Sequence, residues 1–256
     1  RKKLEMITKK ILGDQQYAQI IGQKTLLVSG RAGTGKTIKI MRIACDLAIN
    51  SNSRCLILTY NHALVGDMKR MFALADIPDK IDKYTVNIMT LHKFFYELLI
   101  GFGIVLGEDN PDKDLKYIPD YLRKYDKYLE ELYSYIDQGL IQAIDIQKLM
   151  KKRHEQVAWD YVLVDEGQDW DENEKHILYR IFTPQKLIVA DGIDQLVRKK
   201  SKCNWEKGIN ERIPVHKIYE KICLRQKKNL VAFVNSYAKK MGINWEHETK
   251  EELTGG

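Results

Sequence analysis

The sequence predicts an α/β fold in which helices flank a parallel β-sheet and a small helical subdomain is inserted. Short apolar runs typical of strands alternate along the chain with segments of helical periodicity. The runs are almost continuously apolar, as expected for strands that are buried on both faces. Because ligands collect at the carboxyl ends of the strands in such sheets, chemistry is expected directly after each strand.

Six strands and one helical insertion are predicted. The strands are residues 25–29, 55–59, 86–90, 161–165, 186–190 and 217–223. The pattern changes between residues 96 and 153, where a turn-rich stretch leads into helix-like sequence without a convincing strand. Aromatic and leucine side chains recur there near helical spacing, which favours a small packed core, with base stacking as the alternative. They are Tyr121, Leu122, Tyr125, Tyr128, Leu129, Leu132 and Tyr135.

Composition limits the possible classes of protein. The chain has 256 residues, of which 44% are hydrophobic and 30% charged, as in ordinary globular proteins. No run approaches the about 18 apolar residues of a membrane span, so a cytoplasmic location is expected. The four cysteines form no closely spaced pair and indicate neither a disulfide framework nor a zinc site. The net charge of +7 suits a polyanionic partner, although a solvated basic surface explains it almost as well.

The clearest chemical signal is the segment at residues 30–37, GRAGTGKT, which lies between a predicted strand and a predicted helix. This is the phosphate-loop pattern, in which backbone N–H groups surround a triphosphate. Lys36 would reach the β- and γ-phosphates and Thr37 would bind Mg²⁺. The residues predicted to contact the nucleotide here are Gly30, Ala32, Gly33, Thr34, Gly35, Lys36 and Thr37. A flexible glycine-rich turn is the alternative, but the order of strand, loop and helix favours a nucleotide site.

A second signal is the apolar strand at residues 161–165, which ends in adjacent carboxylates. Asp165 would hold Mg²⁺, and Glu166 would orient and deprotonate the water that attacks the γ-phosphate. Taken alone, such a pair is often a solvated turn. Together with a phosphate loop it predicts one pocket, formed at the ends of two neighbouring strands.

These motifs resemble those of the first motor domain of superfamily 1 helicases of the UvrD/Rep/RecB type. Residues 30–37 resemble the G-x-A-G-T/S-G-K-T loop of that family, and residues 165–169, DEGQD, resemble its D-E-x-Q-D box. The resemblance implies a RecA-like P-loop NTPase fold, the use of ATP and Mg²⁺, and movement along single-stranded DNA, with RNA not excluded.

Two further segments are similar to those that contact single-stranded nucleic acid in the family, namely residues 59–64 and 90–94. Their hydroxyl, amide and imidazole groups suit phosphate and sugar, and the rings of Tyr60, Phe94 and Phe95 suit bases. For His92, a histidine that packs in the core is the alternative. The implied nucleic-acid contacts are Thr59, Tyr60, Asn61, Thr90, His92 and Phe94.

Residues 11–18, ILGDQQYA, resemble the family's Q-motif, in which a glutamine reads the adenine edge. The spacing favours Gln15 for this role. Gln16 is a rival because the register is uncertain by one residue, and an ordinary polar helix surface would also explain the pair.

Two more segments resemble motifs that sense the γ-phosphate. Residues 188–195 are similar to a strand-ending G-D-x-x-Q motif and imply a sensing role for Gln195, although Ala190 replaces the glycine and the spacing to the glutamine is one residue longer. Residues 222–227 imply that Arg225 contributes to the catalytic site from a second motor domain. An exposed basic start of a helix is the alternative for Arg225.

The resemblance also predicts the organisation of the chain. Residues 1–95 and 154–222 would form the ATP-binding motor domain, residues 96–153 an inserted accessory subdomain, and residues 223–256 the start of a second motor domain or a C-terminal helical segment. The first residue is not methionine and the chain ends abruptly, which favours a piece of a longer protein. Because the later motifs of the second motor domain are absent, the isolated chain is expected to be weakly active.

The leading hypothesis is an ATP-dependent DNA helicase or translocase, represented here by its N-terminal motor portion. The alternative is an ATP-gated nucleic-acid-binding switch in a larger complex with protein partners, without unwinding activity. A kinase or GTPase that shares only the phosphate loop would leave the D-E-x-Q-D box and both nucleic-acid segments unexplained.

Overall fold

A computed structural model describes residues 17, 19–74, 85–105, 121–153, 159–193, 201–208, 212–223, 228–242 and 248–249. The strands are β1 Thr25–Gly30, β2 Cys55–Thr59, β3 Val86–Thr90, β4 Tyr161–Val164, β5 Leu187–Gly192, β6 Val215–Glu220, β7 Ile222–Cys223 and β8 Glu248–Thr249. The α-helices are α1 Lys36–Asn50, α2 His62–Leu74, α3 Leu91–Gly101, α4 Tyr125–Asp137, α5 Ala143–Arg153, α6 Glu172–Phe182 and α7 Lys228–Lys240. Short 3₁₀ turns lie at Gly167–Asp169 and Pro184–Lys186.

The strands confirm the predicted α/β fold class. Strands β1 to β6 form one sheet in the order β3-β2-β4-β5-β1-β6, and every pair in it is parallel. The predicted strands at residues 55–59 and 86–90 match β2 and β3, and the sixth predicted strand is divided into β6 and β7. The prediction that the two nucleotide-binding strands are neighbours is wrong, because β5 lies between β1 and β4.

Side chains alternate along the strands and form a hydrophobic cluster on each face of the sheet. Leu26 and Val28 of β1 pack against α1, in a cluster that also contains Ile40, Met41 and Ala44. Leu27 points to the opposite face, where helices α3 to α6 contribute to the other cluster. Burial on both faces explains why the strand sequences are almost continuously apolar.

The described part of the predicted insertion is helical, but its core is not separate. Four of the predicted side chains are buried and belong to the hydrophobic cluster on the face of the sheet that contains Leu27. They are Tyr121, Tyr125, Leu129 and Leu132. The Tyr125 hydroxyl donates to Glu174 Oε1 at 2.7 Å and thereby ties α4 to α6. The prediction that these side chains pack in a core is therefore confirmed for these four residues, although that core is shared with the sheet. The boundaries of the subdomain stay a prediction.

Leu122 departs from the helical pattern that was predicted for the insertion. It is 51% exposed and precedes the first residue of α4, so the helical period does not extend to it.

Across the described helices, none has both the length and the apolar character needed to cross a membrane.

Candidate nucleotide-binding site

The loop that follows β1 can be formed only with glycine at several positions. Gly33 and Gly35 have φ of 77° and 87°, in the left-handed region that side chains rarely adopt. A Cβ on Gly30 would lie 2.6 Å from Thr34 Oγ1 and 2.8 Å from the carbonyl oxygen of Glu220. The sequence pattern therefore reflects the conformation of the loop as well as its predicted contacts.

Helix α1 begins at Lys36, directly after this loop. Its N-cap residue is Gly35, which has no side chain to cap the helix, and the first turn of this described helix holds no acidic residue. A helix N-terminus of this kind attracts anions, because its first N–H groups have no partner within the helix. The buried Lys36 ammonium donates to the carbonyl oxygens of Gly30 at 2.9 Å and Arg31 at 3.0 Å. The positive group is thus held within the loop itself.

Asp165 joins this loop to the end of β4. The Thr37 hydroxyl lies 3.1 Å from Asp165 Oδ1 and 3.3 Å from Oδ2. The Asp165 N–H donates to the carbonyl oxygen of Leu58 at 2.8 Å, which continues the bonding of β4 to β2 beyond the end of the strand. The two residues predicted to bind the metal are therefore brought together from the start of α1 and the end of β4.

Burial raises the pKa of Asp165 to about 7, and the neighbouring Glu166 carboxylate adds to the effect. The Thr37 hydroxyl and the positive charge of Lys36 oppose it. Mg²⁺ prefers oxygen ligands. Here a buried carboxylate with too little positive charge around it lies beside a hydroxyl oxygen. The residues present therefore fit a divalent cation.

Glu166 follows in a left-handed conformation, with φ 50° and ψ 46°, which is uncommon for a residue with a side chain. The Gln168 carboxamide donates to Glu166 Oε2 at 2.7 Å. Strained backbone of this kind is common at functional sites.

Residues 15–200 match the AAA_19 family, which is described as an AAA domain. The match spans well over half of the chain. It includes the phosphate loop and residues 165–169, which we call the carboxylate box. The chain belongs to the AAA_19 family. This is a P-loop domain family of the UvrD-like superfamily 1 helicases, so the resemblance predicted from the motifs is confirmed. No match to the chain was found among curated proteins.

Two tryptophans, one within the AAA_19 match and one just after it, donate to backbone carbonyl oxygens of the carboxylate box. Trp205 Nε1 donates to the carbonyl oxygen of Gly167 at 2.9 Å, and Trp170 Nε1 donates to that of Asp165 at 3.3 Å. The two buried rings contact each other at 5.9 Å between centroids. A Cβ on Gly167 would lie only 2.3 Å from Val189 Cγ1, so the close packing requires glycine there.

The end of β5 adds charged groups that the motif analysis did not assign to the site. Burial raises the pKa of Asp191, and Lys202 opposes the effect from 2.7 Å. The Ser29 hydroxyl lies 3.4 Å from the same carboxylate. No local signal in the sequence identified Asp191 as the partner of Lys202.

The two predicted nucleic-acid segments start side by side, since Thr59 and Thr90 are paired in the register of β2 and β3. Tyr60 is 39% exposed and its ring centroid lies 5.4 Å from that of His92. His92 in turn lies 4.7 Å from Tyr125 of α4. An aromatic group that includes one exposed ring therefore lies at this edge of the AAA_19 domain.

Two of the predicted phosphate contacts cap helices. The Asn61 side-chain oxygen accepts from the N–H of Ala63 at 3.0 Å, near the start of α2. The Thr90 hydroxyl accepts from the N–H of Lys93 at 3.2 Å, at the N-cap of α3. Both residues thus lie where helix N-termini meet the edge of the sheet.

The structure corrects the predicted roles of three residues. Phe94 and Phe95 are fully buried and pack edge to face, so the prediction that their rings stack on bases is wrong. Thr59 is also fully buried, and its hydroxyl accepts from the N–H of Asn61 at 3.3 Å. We therefore assign Thr59 to support of the turn instead of contact with phosphate. Sequence alone does not distinguish an inward from an outward ring in a segment this apolar.

Four predicted site residues lie outside the described residues. They are Gln15, Gln16, Gln195 and Arg225. Their roles in adenine recognition and γ-phosphate sensing stay predictions.

Asp165→Asn is expected to stabilise the ligand-free AAA_19 domain at neutral and alkaline pH. The folded state raises the pKa of Asp165 to about 7, so the folded chain binds this proton more tightly than the unfolded chain. Stability should therefore fall as the pH rises from about 4 to about 7, and asparagine removes that loss. Thermal unfolding without Mg²⁺ at pH 5 and pH 8 measures the effect. Asp67→Asn, at an exposed position of α2, controls for removal of a charge. A gain for Asp165→Asn that is equal at both pH values would contradict the prediction.

Proposed function

We propose that the chain is the ATP-hydrolysing motor portion of a DNA helicase or translocase of UvrD type. The observation that carries this proposal is the contact between the Thr37 hydroxyl and the buried Asp165 carboxylate, which joins the phosphate loop to the carboxylate box. Membership of the AAA_19 family supports the nucleoside triphosphate as the ligand. The parallel sheet supports the same location, since ligands bind at the carboxyl ends of such strands.

The glycine-rich loop and the start of α1 would hold the phosphates of ATP through backbone N–H groups. The Lys36 ammonium already lies within this loop, from which it would exchange its carbonyl partners for phosphate oxygens. Thr37 and Asp165 would hold Mg²⁺, which supplies charge neutralisation on the phosphates when it is bound. The Gln15 amide would read the adenine edge.

Glu166 is proposed as the general base. It would accept a proton from water as the water oxygen attacks the γ-phosphorus and the bond to the bridging oxygen of ADP breaks. Its position next to Asp165, on a sharp turn at the end of β4, supports this separation of roles. Gln195 and Arg225 would contribute to sensing of the γ-phosphate.

Single-stranded DNA would bind at the ends of β2 and β3. The paired register of these strands supports one continuous track, and Tyr60 beside His92 offers an aromatic surface for bases. Asn61 and Thr90 lie at helix N-termini, where backbone N–H groups suit phosphate. Contact of this kind is indifferent to sequence, as movement along a strand requires. Single-stranded RNA would suit the same groups.

The proposed organisation follows the motifs. Residues 1–95 and 154–222 would be the first motor domain, residues 96–153 the accessory subdomain, and residues 223–256 the start of a second motor domain or a C-terminal helical segment.

Tyr60→Ala is expected to weaken binding of single-stranded DNA by about 5- to 150-fold, because stacking on one base contributes about 1–3 kcal/mol. Fluorescence anisotropy with a labelled oligothymidine at fixed salt measures the affinity. Tyr237→Ala, which removes an exposed tyrosine on α7, is the matched control. Equal affinities of the Tyr60 variant and the control would argue against this DNA track.

ATP hydrolysis with and without single-stranded DNA tests the function as a whole. We expect weak hydrolysis by this chain and faster hydrolysis when single-stranded DNA is added. A wild-type protein that hydrolyses no ATP under either condition would remove the motor assignment.

The alternative, an ATP-gated switch, is favoured by the departures at residues 188–195 from the usual motif, with Ala190 in place of glycine and a longer spacing to Gln195. A switch would bind DNA in response to ATP without separating strands. A strand-displacement assay distinguishes the two functions, because only a motor displaces the annealed strand.

A further inference from the structure

The Gln168 side chain is buried between two groups of the candidate site. Its Nε2 donates to Glu166 Oε2 at 2.7 Å, and its Oε1 accepts from the backbone N–H of Gly192 at the end of β5. The backbone carbonyl oxygen of Gln168 accepts from the N–H of Cys203 at 3.1 Å. The residue therefore connects the carboxylate box to β5 and to the segment at residues 201–208.

The chemistry of the two neighbours fixes the orientation of this carboxamide. The Gly192 N–H can only donate, and an ionised Glu166 carboxylate can only accept. The oxygen of the amide must therefore face Gly192 and its nitrogen must face Glu166. In the reverse orientation the amide nitrogen would face the Gly192 N–H, so that two donors meet. The amide oxygen would face the Glu166 carboxylate, so that two acceptors meet.

Gly192 is packed directly against this amide. A Cβ on Gly192 would lie 2.7 Å from Gln168 Cδ and 2.8 Å from Nε2. Gly192 is also paired in register with Gly30, and the Ile193 N–H donates to the Gly30 carbonyl oxygen at 3.3 Å. The end of β5 thus contacts both the first residue of the phosphate loop and the amide that holds Glu166.

We propose that Gln168 is a positioning residue that holds the Glu166 carboxylate for proton acceptance, and that this hold depends on the position of Gly192 at the end of β5. The inference rests on the proposed function, because it assigns regulation to the same catalytic site. A displacement of the β5 end would reorient the carboxamide and release the carboxylate. Hydrolysis is then coupled to the segment that follows β5.

Gln168→Met tests the positioning role, since methionine keeps the length of the side chain but cannot bridge the two groups. We expect kcat for ATP hydrolysis by the full chain to fall about 10- to 100-fold, as for a misplaced catalytic group. The KM for ATP should change by less than about threefold, because nucleotide binding does not use this amide. A merely structural defect would weaken nucleotide binding as well, and wild-type kcat in this variant would overturn the proposal.

A double-mutant cycle with Glu166→Gln shows whether Gln168 acts through Glu166. Once Glu166 has lost its basicity, Gln168→Met should cause little further loss in single-turnover rate. The same fold-loss in both backgrounds would overturn the positioning role.

Gly192→Ala tests the link to β5 from the opposite side and leaves the amide chemistry intact. The added methyl group should push the flexible end of Gln168 away and lower kcat, even if Gln168→Met does not fold. In the Gln168→Met background the same change should add little. Wild-type kcat in Gly192→Ala would overturn the dependence on β5.

The wild-type protein and Glu166→Gln separate this inference from the proposed function. If the wild type hydrolyses ATP and Glu166→Gln does not, the proposed function stands whatever the Gln168 variants show. If Glu166→Gln hydrolyses ATP as fast as the wild type, Glu166 is not the general base and this inference fails. The proposed function fails only if Lys36→Ala also hydrolyses ATP at the wild-type rate.

Discussion

Glu166→Gln is expected to lower kcat for ATP hydrolysis by about 10²- to 10⁴-fold, the range for loss of a positioned general base. The geometry should be kept, because the amide oxygen of the new side chain can still accept from Gln168 Nε2. ATP binding should persist, since the phosphate loop and Asp165 are unchanged. Phosphate release measured under saturating ATP, with nucleotide affinity measured in parallel, gives both quantities.

Lys36→Ala provides the contrast to this result. It removes the only lysine within the phosphate loop, so we expect the affinity for ATP to fall together with the rate. Glu166→Gln and Lys36→Ala should therefore separate chemistry from binding. Hydrolysis at the wild-type rate in both variants would exclude the proposed site.

Trp205→Ala is expected to lower the free energy of unfolding by about 3–5 kcal/mol, as for other large aromatic residues removed from a core. The Trp205 ring is buried and contacts both Trp170 and Tyr179 at 5.9 Å between centroids. Its indole N–H is bonded to the Gly167 carbonyl oxygen. Urea denaturation followed by circular dichroism measures the loss.

Two variants separate the causes of this loss. Trp205→Phe keeps an aromatic ring but leaves the Gly167 carbonyl oxygen without the indole donor, which should cost about 1–3 kcal/mol. Phe233→Ala removes a ring on α7 that is 68% exposed and should change stability by less than about 0.5 kcal/mol. A Trp205→Ala protein as stable as the Phe233 variant would contradict the described packing.

Local signals account for the parts of the fold and site that the sequence predicted. The phosphate loop was recognisable because its conformation demands glycine at fixed positions, such as Gly33 and Gly35. The strand runs were recognisable because a sheet buried on both faces requires continuous apolar sequence. The carboxylate box was recognisable because Asp165 and Glu166 are adjacent in sequence and follow such a run.

Contacts between distant residues could not be predicted in this way. Gln168 meets Gly192 because β5 lies beside β4 in the sheet. Lys202 meets Asp191 because the segment at residues 201–208 returns to the end of β5. No periodicity or spacing encodes that strand order. The burial of Phe94 is a similar case, because helix α3 is apolar over most of its surface and its pattern does not show which rings face the core.

The hydrophobic cluster shared by the sheet and helices α4 and α5 limits how the protein can be trimmed. Deleting those helices to obtain a minimal fragment would uncover the sides of α3 and α6 that pack against them, and would leave Glu174 without the Tyr125 hydroxyl. Such a fragment would expose an apolar surface and would tend to aggregate. Shortened versions intended for crystallisation or screening should therefore retain residues 121–153.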